Sequence, residues 1–213
     1  MSEYNNLNET QLKLIDQNIL DVWGQIDMPI FRYVREAIMK FRAKGSPDIS
    51  RDFITYAQKK NPKVNFRALN VEKWNDKNKY DLIVCFYDSV NHFDNWAKAF
   101  KRIHNALKEN GKFIFDINTV ERVSKWDDAF LDKVANGHIY IQGKTLSKYS
   151  AKINLKIFDR KGCLIDNVNV FEKTYPIKKV ITMLKSAGFR EVRDIGNVIK
   201  PNSKGRTFFE CVK

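Results

Sequence analysis

The chain has 213 residues and a mass of 25.0 kDa, enough for a core that needs no disulfide or metal staple. With 43% hydrophobic and 30% charged residues and no apolar run of about 18 residues, the composition argues against disorder and against a transmembrane helix. Thirty-eight basic and 25 acidic residues give a net charge of +13, concentrated in the last third, where residues 119–213 carry +9; this describes either a solvated basic face or a surface for an anionic partner such as nucleic acid.

Residues 9–44 have a helical rhythm. Leu12, Ile15, Ile19 and Val22 recur at three- and four-residue spacing. Pro29 starts a second helix with Tyr33, Val34, Ala37, Ile38 and Phe41 on its apolar stripe. Gly45 and Ser46-Pro47 end it. Residues 1–45 therefore read as a helical segment ahead of an α/β domain over 46–213.

From there strands and helices alternate. Ser50 caps a helix carrying Phe53, Ile54 and Ala57, closed by Asn61-Pro62. Residues 64–69 form a short strand. Residues 81–86 are apolar on both faces, as in a central parallel strand. Asp94 opens a helix with Trp96, Phe100, Ile103 and Leu107 on one face, and Gly111 follows its end. Residues 112–117 form the next buried strand. Such alternation predicts a doubly wound sheet.

Residues 137–174 break the pattern. Residues 152–157 alternate strictly, residues 159–162 form a turn, and residues 164–171 continue as strand, so an antiparallel meander is expected. Pro176 then starts a helix through Val180, Ile181 and Leu184 that Gly188 ends. Two strands, 189–195 and 207–212, complete the sheet edge. Cys85, Cys163 and Cys211 are odd in number and far apart, and read as reduced core thiols. The first residues, Met1-Ser2-Glu3-Tyr4, lack a basic start before an apolar block. A cytoplasmic location is the expectation, with no membrane partner.

Three stretches carry a resemblance. They are Ser46-Pro47-Asp48-Ile49-Ser50, the run from Tyr80 to Phe93, and Asn105-Ala106-Leu107-Lys108-Glu109-Asn110-Gly111 leading to Asp116. In this order and spacing they resemble the class I S-adenosylmethionine-dependent methyltransferases, specifically the small-molecule group with a β-meander before the last helix. The resemblance covers residues 46–213. It implies a Rossmann-like methyltransferase sheet and S-adenosylmethionine as cofactor. One part is missing: the family's first strand and glycine-rich turn. No glycine lies between Gly24 and Gly45, so the expected sheet lacks its first strand and helix, and the usual glycine cradle cannot form from this chain alone.

The resemblance also implies site residues. Asp48 matches the carboxylate that accepts hydrogen bonds from the ribose diol; otherwise it is a cap. Asn70-Val71 matches the adenine-side pair; otherwise Asn70 is a turn residue. Phe86 and Tyr87 lie where the cofactor is covered. Asp88 and His92, on the loop after a central strand where ligands of open α/β sheets bind, are the candidate catalytic residues, able to take a proton from an acceptor; a loop-ordering histidine is the alternative. Asp116 to Thr119 share that rim. His104 reads as core or surface filler. No His, Cys or carboxylate cluster has metal-ligand spacing, so no metal is expected.

Three functions stay open. The first is methylation of a small-molecule acceptor, with a homo-oligomer or an intact methyltransferase partner completing the site. The second is an inactive pseudo-enzyme serving as a partner or scaffold subunit. The third, suggested by the basic last third, is RNA binding or RNA methylation.

Overall fold

The computed structural model describes residues 46–48, 58, 66–134, 137–199 and 204–213. The expected helices before residue 45 lie outside these residues, and so does the helix expected after Ser50 except for Gln58, which is helical; the expected absence of the first strand and its glycine turn also falls outside them.

Strand β1 (Ser46–Asp48) pairs in parallel with β2 (Phe66–Ala68), Asp48 standing opposite Ala68. Among the described residues, no ladder joins this pair to the main sheet. That sheet begins with β3 (Tyr80–Cys85), which runs parallel to β4 (Leu107–Asn118). Helix α1 (Trp96–Ala106) connects them. Its predicted stripe is real: Trp96, Ala99, Phe100, Ile103 and Ala106 are buried at helical spacing. The N-cap is Asn95, whose side chain accepts from Lys98 N at 3.0 Å, rather than Asp94. Gly111 does not terminate the helix. The chain turns into β4 at Leu107, which stands opposite Tyr80, and Asn110 takes the left-handed conformation (φ 61°) inside the irregular start of the strand.

After the short helix α2 (Val120–Val123), the antiparallel meander runs through β5 (Ala129–Val134), β6 (Gly137–Ser147), β7 (Ser150–Asp159) and β8 (Leu164–Lys173) in sequential order. It thus includes a strand ahead of residue 137. The 159–162 turn closes with Gly162 N donating to Asp159 O at 3.1 Å. Cys163 in that turn is exposed rather than a core thiol; Cys85 is half-buried and Cys211 buried.

Helix α3 (Ile177–Ala187) ends at Gly188, whose φ of 112° requires glycine. Half-buried His104 lies against Gly188 and edge-on to Phe189, at 5.2 Å between centroids, filling the core as expected. The chain finishes with β9 (Glu191–Asp194), a helical turn α4 (Gly196–Ile199) within the expected loop, and β10 (Arg206–Val212). The main sheet has the order β3-β4-β10-β9. The last strand therefore inserts beside β4, antiparallel to both neighbours, and β9 forms the edge.

The core sits between this sheet and helices α1 and α3. Phe113 and Phe115 stack at 4.5 Å, and Phe209, directly opposite Phe115 on β10, stacks on it at 5.1 Å. Aromatic pairs of this kind add about 0.5–1.5 kcal/mol beyond their burial.

The meander is tied to the core by a close approach. A Cβ on Gly143 would lie 2.6 Å from Trp126 O and 2.3 Å from Trp126 Cδ1. Gly143→Ala is therefore expected to cost about 1–3 kcal/mol through overpacking, read as a lower urea midpoint at unchanged slope. An unchanged midpoint would show that Trp126 yields freely.

Candidate active site

The site forms where β3, β4 and β10 meet the last residues of β8. Leaving β3, the chain places Tyr87 (φ 57°) and Asp88 (φ 51°) consecutively in the left-handed region. Such backbone costs about 1 kcal/mol or more for each non-glycine residue. The surroundings hold it: Asp88 N donates to Asp116 Oδ1 at 3.2 Å, and Ser89 Oγ donates to Phe86 O at 2.7 Å. A 3-10 turn, Ser89–His92, follows and puts His92 one turn beyond Asp88.

Asn91 fastens this turn. It is fully buried. Its Nδ2 donates to Asn118 O at 3.1 Å and to Lys173 O at 3.0 Å, and its Oδ1 accepts from Asn118 N at 2.9 Å. One amide thus joins the turn, β4 and β8. Thr174 Oγ1 adds a bond to Asn118 O at 2.7 Å.

His92 Nδ1 lies 3.0 Å from Phe171 O. A carbonyl oxygen only accepts, so Nδ1 carries the hydrogen and neutral His92 presents Nε2 as the acceptor. Nε2 is 3.8 Å from Asp88 Oδ2, and 37% of the side chain is exposed. Burial alone lowers the imidazole pKa. The neighbouring Asp88 carboxylate, the hydrogen bond to Phe171 O and the charge of Glu172 outweigh it and raise the pKa above the ordinary 6.5.

Glu172 is the residue that sequence reasoning missed. It is only 2% exposed, and its Oε2 accepts from Asn118 Nδ2 at 3.0 Å. Burial pushes its carboxyl up to about 7, with the Asp88 charge adding to the rise and the Asn118 hydrogen bond and His92 opposing it. One signal was available: along β8, Val168, Val170 and Glu172 share a face, so the carboxylate breaks an apolar alternation. Arg206, also missed, ion-pairs with Asp88 and reaches Asp116 Oδ2 through Nε at 3.2 Å. Its guanidinium lies 5.9 Å from the Tyr87 ring centroid.

The predicted pair Asp88 and His92 is therefore brought together. Asp116 is buried and positions Asp88 rather than lying open at the rim. The side chain of Asp48 lies outside the described residues. Asn70 caps the Val71–Lys73 turn by accepting from Glu72 N at 2.8 Å. Asp88, His92 and Glu172 also present ligand atoms within 4.8 Å of one another. Spacing along the chain hid this grouping, because Glu172 comes from a distant strand. Arg206 already neutralises Asp88, so the grouping is better suited to holding a proton than a second cation.

The raised carboxyl makes stability depend on pH. Unfolded glutamate releases its proton near 4.5, whereas folded Glu172 keeps it to about 7. Its contribution is thus complete below pH 4.5 and is lost as pH rises to 7, by at most about 3 kcal/mol. His92, also raised, acts in the same direction above pH 6.5. The melting temperature is expected to fall between pH 5 and pH 8, with Glu172→Gln flattening most of the slope below pH 7. Parallel curves for the two proteins would contradict this.

The family model described as "Methyltransferase domain" matches residues 29–159. Among solved structures, an S-adenosylmethionine-dependent methyltransferase from Clostridium acetobutylicum is similar at TM-score 0.71 and 18% identity, over 99% of each chain. DesVI from Streptomyces venezuelae is similar at TM-score 0.64 and 14% identity, over 85% of this chain and 79% of its own. CalS10 from Micromonospora echinaspora, an amino pentose methyltransferase solved with S-adenosylmethionine bound, gives 0.63 and 12%, over 84% and 78%. No curated protein matches the sequence. The shared fold is the Rossmann-like methyltransferase sheet with an antiparallel meander.

Proposed function

Because the chain belongs to the methyltransferase domain family, we propose that it transfers the methyl group of S-adenosylmethionine to a nitrogen or oxygen of a small molecule, with His92 receiving the acceptor's proton. The observation that carries this reading is the half-exposed His92 ring, held through Nδ1 by Phe171 O and grouped with the carboxylates of Asp88 and Glu172.

Bound S-adenosylmethionine supplies an electrophilic methyl group on a cationic sulfur. Asp48 is opposite Ala68 on the adjacent parallel strand, so Asp48, Asn70 and Val71 belong to neighbouring strand ends. That register fits one ligand spanning a ribose and an adenine. Asp48 would accept from the ribose hydroxyls, Asn70 and Val71 would meet the adenine, and Phe86 and Tyr87 would cover the ligand. His92 Nε2 would take the proton that the acceptor loses on methylation. Asp88 and Glu172 stabilise the resulting imidazolium. In-line alignment supplies much of the rate, and proton transfer the remainder.

An amine of a sugar-like molecule is the acceptor class suggested by two structural neighbours, the amino pentose methyltransferase CalS10 and the sugar N-methyltransferase KedS8. Calorimetric titration with S-adenosylhomocysteine is the test. Micromolar binding that Asp48→Ala weakens at least tenfold is expected, as is formation of S-adenosylhomocysteine when S-adenosylmethionine and an amino-sugar acceptor are supplied together. A folded chain that does not bind it would overturn the reading in favour of a non-catalytic partner subunit.

A further inference from the structure

The outer face of the meander is unlike the rest of the molecule. Side chains alternate across a strand, so the register assigns its two faces. One carries Ile141, Ile153, Leu155, Val168 and Val170, and leads to Glu172 and the site. The other carries Lys144, Lys152 and Lys156 with Tyr140, Phe158 and Phe171. No aspartate or glutamate of β6, β7 or β8 falls on this second face.

Three features of that face point the same way. Lys144 stands directly opposite Lys152, and like charges so placed are destabilising unless an anion lies over them. Among the described residues no carboxylate pairs with Lys144, Lys152 or Lys156. Next, rings and cations are interleaved: Phe171 is opposite Lys152, and Tyr140 is opposite Lys156. Phe171 is 59% exposed, although such a ring is ordinarily buried. Finally, a row of amides crosses the centre of the face. Asn154 Nδ2 donates to Asn167 Oδ1 at 2.6 Å and to Asn169 Oδ1 at 3.0 Å. Amides of this kind offer both donors and acceptors to base edges.

We propose that this face binds a single-stranded polynucleotide, its phosphates over the lysines and its bases against exposed Phe171 and half-buried Tyr140. Charge alone would fit any polyanion. The alternation of rings with lysines on a flat antiparallel sheet selects an anion that also presents planar bases. Lys152 and Lys156 lie roughly 14 Å apart along one strand, so the track spans several nucleotides. The surface adjoins the methyl-transfer site at Phe171, whose backbone carbonyl meets His92, but the proposal does not rest on the methyl-transfer reading.

Fluorescence anisotropy with labelled 20-nucleotide oligo(U) and oligo(dT) is the test, using the full chain at 50 and 200 mM salt. Micromolar binding at the lower salt, weakened at least tenfold at the higher, is expected. Lys152→Glu with Lys156→Glu should weaken it at least tenfold. Tyr140→Ala with Phe171→Ala should weaken it at least fivefold, thermal melts confirming that both variants fold. A preference between the two oligomers assigns RNA or DNA. The proposal is overturned by absent binding, by aromatic variants that bind like the wild type, by tighter binding of a duplex, or by displacement of the oligomer by anionic lipid vesicles.

Discussion

His92→Ala is expected to slow methyl transfer at neutral pH by about 10²- to 10⁴-fold, the range over which a positioned proton acceptor acts. Affinity for S-adenosylhomocysteine should stay within about twofold, because the proposed role of His92 concerns the acceptor's proton and not the cofactor. The pH profile separates this role from a structural one. Transfer requires neutral His92, so the rate should rise with pH through the raised imidazole value, above 6.5. Glu172→Gln deletes one of the charges that raise it, so the rising limb should move to lower pH. A His92→Ala protein of full activity, or a limb unmoved in Glu172→Gln, would remove His92 from the chemistry. A chelator should leave the rate unchanged; loss of activity would instead assign the Asp88–His92–Glu172 grouping to a metal ion.

Asn91→Asp is the substitution with the largest expected effect on stability. The two side chains are nearly the same shape, so no cavity opens. The new oxygen, however, faces the carbonyls of Asn118 and Lys173, where Nδ2 donates in the native protein. Lys173 O loses this donor, Asn118 O keeps only that of Thr174 Oγ1, and a carboxylate is placed against both. A cost of about 3–5 kcal/mol is expected, lowering the melting temperature by roughly 10 °C. Asn95→Asp provides the contrast. Asn95 caps α1 through Lys98 N, a task that aspartate performs equally well, so its melting temperature should hardly change. Equal melting temperatures for the two variants would show that the Asn91 amide does not hold the turn.

The sequence revealed those parts of this molecule that depend on neighbours along the chain. Helix α1 was readable because its buried residues recur at helical spacing. Strands β3 and β4 were readable because both their faces are apolar, and β7 because its faces alternate. Asp88 and His92 were found together because one helical turn separates them. Glu172 and Arg206 were not, since only topology brings them in. His92 meets Phe171 O across 79 residues, and Arg206 meets Asp88 across 118. That helix α1 ends at Ala106, well ahead of Gly111, has a local cause. Glycine is the common terminator, but here the pairing of Leu107 with Tyr80 draws the chain into a strand first, and Asn110 adopts the left-handed conformation instead.

The insertion of β10 beside β4 governs how the protein is born. During synthesis β3, α1 and β4 emerge first and can associate at once. Until residues 206–212 leave the ribosome, β4 has one open edge, and Phe115 lacks the ring of Phe209 that covers it. An apolar strand with an unpaired edge is a template for other chains. The nascent protein therefore carries its greatest risk of aggregation just before synthesis reaches β10, and that same strand delivers Arg206 to Asp88. Closing the sheet and assembling the site are one late event, so a chain stalled before β10 has neither.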